Sequence, residues 1–165
     1  MLLWLAEMEI NILFSEGCGG YIEERWLKNM VERVLVAQNI DSKAEVSLVI
    51  AGQERVRQLN LSYLGKDAPT DVLAFSMLPE MSGRDVAPFV VAPDGIKHLG
   101  EVIISYPQAV IQAEEHRHSI KREITILIIH GVLHLLGYDH DRPEPERKMR
   151  AREAEILADI EGELE

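Results

Sequence analysis

The sequence is short of cysteine, of long apolar runs and of positive charge, and each shortage excludes a class of protein. Its single cysteine, Cys18, excludes an internal disulfide framework and fits a reducing compartment. No apolar run reaches the roughly 18 residues that a membrane-spanning helix needs. The apolar start has neither the basic region nor the small-residue cleavage site of a signal peptide. We therefore expect a cytoplasmic protein with no membrane partner.

Acidic residues outnumber basic ones. The chain has 28 Asp and Glu but only 17 Lys and Arg, and its formal net charge is −11. This charge argues against broad nucleic-acid binding, since contacts to phosphates need Lys and Arg. The basic residues in the middle of the chain still leave room for a local basic groove. Arg57 and Lys66 are among the residues that could line such a groove.

The chain has 165 residues, 47% of them hydrophobic, and we expect one domain with a real core. Apolar periodicity predicts strands at residues 7–14, 44–51, 70–77 and 98–105, and helices at 21–38, 53–64, 106–116, 120–136 and 143–160. Residues 79–94 hold three of the seven prolines and predict a flexible loop or a hairpin arm. Strands and helices do not alternate regularly, which favours a single-domain α+β fold with a mixed four-stranded sheet packed with helices.

The strongest functional pattern is the run IIHGVLHLLGYDHD. His130 and His134 are four residues apart in a predicted helix, so both imidazoles lie on one helical face. Gly137 is expected to end the helix in a left-handed conformation and to turn the chain back towards His140. Three nitrogen ligands with an open fourth position are typical of a catalytic zinc site. We expect one Zn²⁺ per chain on these three histidines.

The helix that carries the histidines is predicted to be buried, because it is apolar almost all round. Ser119 can cap its start, and Glu123 is expected to support that start only through the helix dipole. The ligand spacing matches the metzincin proteases, but Gly131 replaces their general-base Glu. Two explanations of this glycine stay open: the helix face must admit a bulky phosphodiester or another backbone, or the helix packs closely there.

The run HGVLHLLGYDH closely resembles the signature of the YbeY family, the metal-dependent endoribonucleases of bacterial ribosomal RNA maturation. The segments LNLSYLGKDAPTDVLAFSM and LGEVIIS are similar to that family's central segment and to one of its strands. The resemblance spans roughly residues 60–140. Two positions depart from it: Leu64 stands where members commonly carry an Arg thought to serve the active site, and Glu101 stands where Asp is usual.

The resemblance implies that residues 1–165 form one metal-dependent endoribonuclease domain with zinc on His130, His134 and His140. It also implies cleavage of single-stranded RNA, in maturation of the 3′ end of small-subunit ribosomal RNA and in ribosome quality control. The implied partners are ribosomal RNA and the small ribosomal subunit.

The remaining site residues are hypotheses with alternatives. Asp139 and Lys66 are candidate catalytic residues. Asp139 could orient a ligand imidazole or simply cap the turn. Lys66, Arg57 or Arg55 could supply the positive charge missing at Leu64. Thr70 could bind RNA beside Arg57 and Lys66, or could simply begin a strand. Zinc could activate water or stabilise charge while a ribose hydroxyl attacks, and the sequence does not choose between these.

Two other functions fit the same residues. One is a different metal-dependent hydrolase, such as a peptidase with its base outside the helix. The other is a non-catalytic ribosome-binding module whose zinc only holds the fold. Cleavage of RNA or of peptide separates the enzymes, and a fourth protein ligand in place of water would favour the binding module.

Overall fold

A computed structural model of the chain describes residues 8–15, 17–40, 43–78, 95–138 and 143–161. The strands are β1 (Met8–Phe14), β2 (Ala44–Ala51), β3 (Val72–Ser76) and β4 (Lys97–Ser105). The helices are α1 (Glu24–Ala37), α2 (Gln53–Leu64), α3 (Tyr106–Glu115), α4 (Ile120–Leu135) and α5 (Pro143–Glu161). The order of these elements is the predicted one. The loop predicted at residues 79–94 lies outside the described residues.

Helix α1 begins at Glu24 instead of residue 21, and β3 begins at Val72 instead of residue 70. The Asp71 carboxylate accepts the Val72 backbone N–H at 2.8 Å, and such a local bond competes with strand pairing. Thr70 therefore precedes the strand and does not begin it.

The sheet has the order β1-β2-β4-β3. The first three strands in that order are parallel, and β3 lies antiparallel to β4 at the edge, so the predicted mixed sheet is confirmed. A bulge interrupts the β2–β4 pairing, because Glu45 pairs with His98 and Val46 with Gly100. Gly100 has a φ of 129°, and a Cβ there would collide with the Phe75 carbonyl oxygen. Only glycine fits this position.

Successive strand residues point to opposite faces of the sheet, and each face has its own core. On the main face the strands contribute Val46, Leu48, Ile50, Val102 and Ile104 to a core that also contains buried residues of α1, α4 and α5. On the other face a smaller core joins Ala51, Leu73 and Ile103 to Val56 of α2. The candidate histidines therefore belong to the helical layer on the main face.

Helix α4 is buried as predicted, with ten of its 16 residues inaccessible to solvent. The Ser119 hydroxyl caps its start by accepting the Arg122 N–H at 3.0 Å. At its end Gly137 has a φ of 100°. The N–H groups of Gly137 and Tyr138 donate to the carbonyls of His134 and Leu133, both at 3.0 Å, which is the Schellman pattern of a helix end. The predicted end of the helix at Gly137 is confirmed.

Across the described ranges, no helix combines the length and the apolar character that crossing a bilayer requires.

Close packing explains the glycine in the middle of α4. Gly131 is buried against β4, and a Cβ added to it would lie 2.5 Å from Cγ1 and 3.1 Å from Cγ2 of Val102. Val102 is itself only 1% exposed, and a β-branched side chain has few rotamers with which to move away. The missing side chain at Gly131 therefore lets α4 pack closely on β4. The alternative, that it makes room for a phosphodiester, is wrong.

This packing predicts that Gly131→Ala destabilises the protein. Overpacking of a core costs about 1–3 kcal/mol, and the better helix propensity of Ala returns only about 1 kcal/mol. In a Val102→Ala background the obstruction is gone, so the same Gly131→Ala change should become neutral or stabilising. The free energy of urea unfolding of the four variants, at one fixed Zn²⁺ concentration, measures this coupling. A Gly131→Ala protein more stable than the wild type would contradict the packing explanation.

Candidate metal centre

Two of the three predicted ligands stand side by side on α4. The imidazole centroids of His130 and His134 are 4.7 Å apart, and the ring planes are inclined at 73°. Both side chains are partly exposed on a helix that is otherwise largely buried. The i, i+4 spacing thus gives the expected result, with two imidazoles at one surface-accessible place.

A carboxylate on α5 orients the first of these rings. Glu153 Oε2 lies 3.2 Å from His130 Nδ1, and the two side chains are 23% and 30% exposed. A carboxylate only accepts hydrogen bonds, so Nδ1 is the donor in this contact, and Nε2 is the ring nitrogen that would bind a metal. A carboxylate behind a ligand imidazole is the usual partner in protein metal sites.

Glu153 was missed by the sequence reasoning, which treated α5 only as a charged amphipathic helix. The feature of the sequence that could have revealed Glu153 is its position in the apolar stripe of α5. Met149, Ile156 and Ile160 are the buried residues of α5, and Glu153 occupies the matching position between the first two. A carboxylate in a core-facing stripe needs a polar partner, and here that partner is a predicted metal ligand.

The turn that follows α4 is anchored by Tyr138. After Gly137, the half-buried Tyr138 packs on the main core, and its hydroxyl accepts a hydrogen bond from Gln38 Nε2 at 3.2 Å. Asp139 and His140 lie outside the described residues. The described part of the site fits a metal ion through two imidazoles on one face and a carboxylate that fixes the tautomer of one. The assignment of all three histidines stays a prediction.

The two basic residues predicted to bind RNA differ in whether nearby carboxylates neutralise their charge. Lys66 is exposed just after α2, which ends with Gly65 in the left-handed conformation. Arg57 lies on α2, where Glu54 at 2.9 Å and Asp67 both form ion pairs with its guanidinium. Positive charge is therefore available to a ligand at Lys66 and largely compensated at Arg57.

The two other positions named from the sequence lie on either side of Lys66. The Thr70 hydroxyl is 3.4 Å from Asp71 Oδ1, and its side chain is half-buried. Leu64 is the last residue of α2 and is 55% exposed. A longer side chain would fit at this position, but Leu64 itself offers no charge.

Within the described ranges, one further group of side chains has the composition and spacing of a metal site. His116 and His118 lie between α3 and α4, and Glu123 lies in the first turn of α4. Glu123 Oε1 is 3.0 Å from His116 Nδ1 and 2.7 Å from His118 Nε2. Their potential ligand atoms all lie within 4.8 Å of one another. The chain therefore contains a group of residues able to hold a metal ion.

The expectation that Glu123 acts only through the helix dipole is wrong. Its side chain is 2% exposed and accepts hydrogen bonds from His116, His118 and Gln112. Burial pushes the pKa of Glu123 up, but these three hydrogen bonds together hold it below the usual value. The sequence signal was a pair of histidines, His-x-His, directly before a helix that carries an acidic residue in its first turn.

Comparison with known proteins identifies the family. The family model described as "Endoribonuclease YbeY" matches residues 21–161. The chain belongs to the YbeY endoribonuclease family. A protein named Endoribonuclease YbeY from Dehalococcoides mccartyi is 42% identical over 99% of this chain and 100% of its own length. Another of the same name from a Roseiflexus species is 39% identical over 92% of both chains. The predicted family and the predicted class of enzyme are confirmed.

A solved structure shares the fold. The solution structure of TM1509 from Thermotoga maritima superimposes with a TM-score of 0.61 at 25% sequence identity. The alignment covers 93% of this chain and 90% of the other. The YbeY fold therefore positions α4 and its two described histidines, whereas the extent of the domain over residues 1–165 stays a prediction.

The contact between Glu153 and His130 predicts that metal affinity depends on a residue that does not bind the metal. Glu153→Ala should weaken Zn²⁺ binding about 10–100-fold, because the His130 ring loses the partner that fixes its tautomer and direction. Glu153→Gln keeps an acceptor but loses the charge, so its affinity should lie in between. Competition with a chromophoric chelator measures these affinities.

The matched control is Glu155→Gln on the same helix, since Glu155 is 64% exposed and pairs with Arg152 at 3.0 Å. This variant should bind Zn²⁺ like the wild type. If Glu153→Ala also did so, Glu153 would have no role in positioning His130.

Proposed function

We propose that the protein is a zinc-dependent endoribonuclease specific for single-stranded RNA. It matures the 3′ end of small-subunit ribosomal RNA and takes part in ribosome quality control. Its partners are ribosomal RNA and the small ribosomal subunit in the cytoplasm. The observation that carries this proposal is the paired imidazoles of His130 and His134, with Glu153 behind the first, in a chain whose relatives are named endoribonucleases.

Zinc is the proposed metal because imidazole nitrogen is among its preferred ligands and three histidines leave one position open. His130, His134 and His140 would hold it. When bound, it supplies polarisation of a phosphoryl oxygen and a lower pKa for a bound water. These effects suit phosphodiester cleavage, in which negative charge accumulates at phosphorus and on the leaving oxygen.

The chain's own residues hold the reacting groups in place. Glu153 accepts a hydrogen bond from Nδ1 of His130 and so orients the ring, with Nε2 as the nitrogen that would bind the metal. Asp139 remains the candidate for orienting another of the ligand imidazoles. Lys66 and Thr70 are the candidates for binding the RNA backbone, and Lys66 is also the candidate catalytic cation in place of the missing Arg at Leu64.

The proposal predicts metal-dependent cleavage of RNA that requires the histidine pair. Zinc-loaded wild type should cut a single-stranded RNA with a small-subunit ribosomal 3′ extension faster than a duplex of the same sequence. His134→Ala should lose at least about 100-fold in rate, the scale on which single electrostatic contributions to catalysis are measured. Electrophoresis of end-labelled RNA gives the rates.

His98→Ala is the matched control, because it removes a histidine that is paired with Glu45 at 2.7 Å where the inner strands β2 and β4 begin. It should cleave like the wild type. Binding of RNA with no cleavage would favour the non-catalytic ribosome-binding module, and cleavage of peptides instead of RNA would favour the peptidase-like hydrolase.

The compensated charge of Arg57 predicts an unequal contribution of the two basic candidates to RNA binding. Each phosphate contact to single-stranded nucleic acid contributes about 0.7 to the slope of log affinity against log salt. Lys66→Ala should reduce that slope by about 0.7, whereas Arg57→Ala should change it less. Lys28→Ala is the control, since this exposed lysine lies on α1 on the main face of the sheet, whereas Lys66 follows α2 on the opposite face. An unchanged slope for Lys66→Ala would remove Lys66 from the RNA-binding surface.

A further inference from the structure

We propose that His116, His118 and Glu123 form a second site for a divalent transition-metal ion of the zinc class, separate from the His130 and His134 centre. The site lies where α3 passes into α4. Its three side chains come from a segment of eight residues, so the local chain conformation sets their geometry.

The turn between the two helices brings the histidines together. His116 is the C-terminal cap residue of α3, and Arg117 after it adopts a left-handed conformation with a φ of 56°. The N–H of Arg117 donates to the Glu114 carbonyl at 3.2 Å, and that of His118 to the Ala113 carbonyl at 3.1 Å. This pattern reverses the chain within one residue. As a result both imidazoles face the first turn of α4.

The nitrogen atoms converge on one oxygen of Glu123. Nδ1 of His116 and Nε2 of His118 lie 3.0 and 2.7 Å from Oε1. In tetrahedral zinc sites the ligands are about 2.0–2.1 Å from the metal, so neighbouring ligand atoms are about 3.3 Å apart. All the ligand atoms here lie within 4.8 Å of one another, so an ion fits between them after small side-chain movements.

The carboxylate is held in place from behind. The second oxygen of Glu123, Oε2, accepts a hydrogen bond from Gln112 Nε2 at 2.8 Å, and the same amide nitrogen lies 3.2 Å from Asp71 Oδ2. Gln112 therefore fixes the direction of Oε1 and connects the site to the start of β3. Hydrogen-bonded partners of this kind orient ligands in protein metal sites.

The outer side of the site is open. His116 is 55% exposed and His118 is 19% exposed, whereas Glu123 is 2% exposed. An ion held there is anchored by a buried carboxylate and has water at its remaining position. Two imidazoles and one carboxylate match the preferences of zinc and its neighbours and are a poor set for Mg²⁺ or Ca²⁺.

The second ion would not share a substrate atom with the first. Glu123 precedes His130 by seven residues, which is about 10 Å along a helix, whereas cooperating metal pairs are about 3.5–4 Å apart. The ion would instead join the α3 end to the α4 start, at the end of α4 remote from the catalytic histidines.

The experiment removes the first site so that the second can be counted alone. In a full-length His130→Ala/His134→Ala protein, equilibrium dialysis against Zn²⁺ should leave one ion per chain, and Co²⁺ in its place should give the visible absorption of a tetrahedral site. Adding His116→Ala should weaken this binding at least about tenfold, and adding Glu123→Gln should do the same. Adding His98→Ala should leave it unchanged.

Circular dichroism of each variant verifies the fold, and the exposure of His116 makes that variant the safer one. The proposal is overturned if the His130→Ala/His134→Ala protein binds no Zn²⁺, or if it binds Zn²⁺ equally well with and without His116. In either case the three side chains form only a hydrogen-bonded cluster. Neither result bears on RNA cleavage by the first site.

Discussion

Helix α4 has to be buried on nearly every side and still expose two imidazoles at one place on its surface. The packing that meets both requirements determines the rest of the structure. Gly131 allows the helix to lie directly on Val102 of the central strand β4. With its middle against the sheet, the helix has its start fixed by Ser119 and its end by the Gly137 turn. Its remaining partly exposed surface carries His130 and His134, where α5 supplies Glu153. The rigidity of the candidate metal centre therefore comes from core packing.

The features predicted correctly from the sequence are those that neighbouring residues determine. The order of the nine elements found in the described ranges follows from apolar periodicity, and the bounds of β2 and α2 follow from it to the residue. Glycine in the left-handed conformation ends α4, as residue type alone indicates. The pairing of His130 with His134 needs nothing beyond the 3.6-residue helical repeat.

Three of the features missed or misjudged depend on contacts between segments that are apart in the sequence. Glu153 contacts His130 across 23 residues of sequence, and its position in the apolar stripe of α5 has meaning only beside α4. The role of Gly131 could be decided only with Val102 in place, since a glycine beside a metal and a glycine against a sheet look alike in sequence. The sequence suggests that the charge of Arg57 is available to a ligand, whereas the structure pairs it with Asp67, ten residues away.

The central claim is that His130, His134 and His140 hold one metal ion in the direction that Glu153 sets. Crystallographic anomalous scattering at the zinc edge, on protein loaded with one equivalent of Zn²⁺, tests it most directly. The account predicts a principal peak bonded to Nε2 of His130, with nitrogens of His134 and His140 as the other protein ligands at about 2.0–2.1 Å and no fourth protein ligand. A principal peak elsewhere, or one in which Glu153 replaces a histidine as ligand, would contradict it.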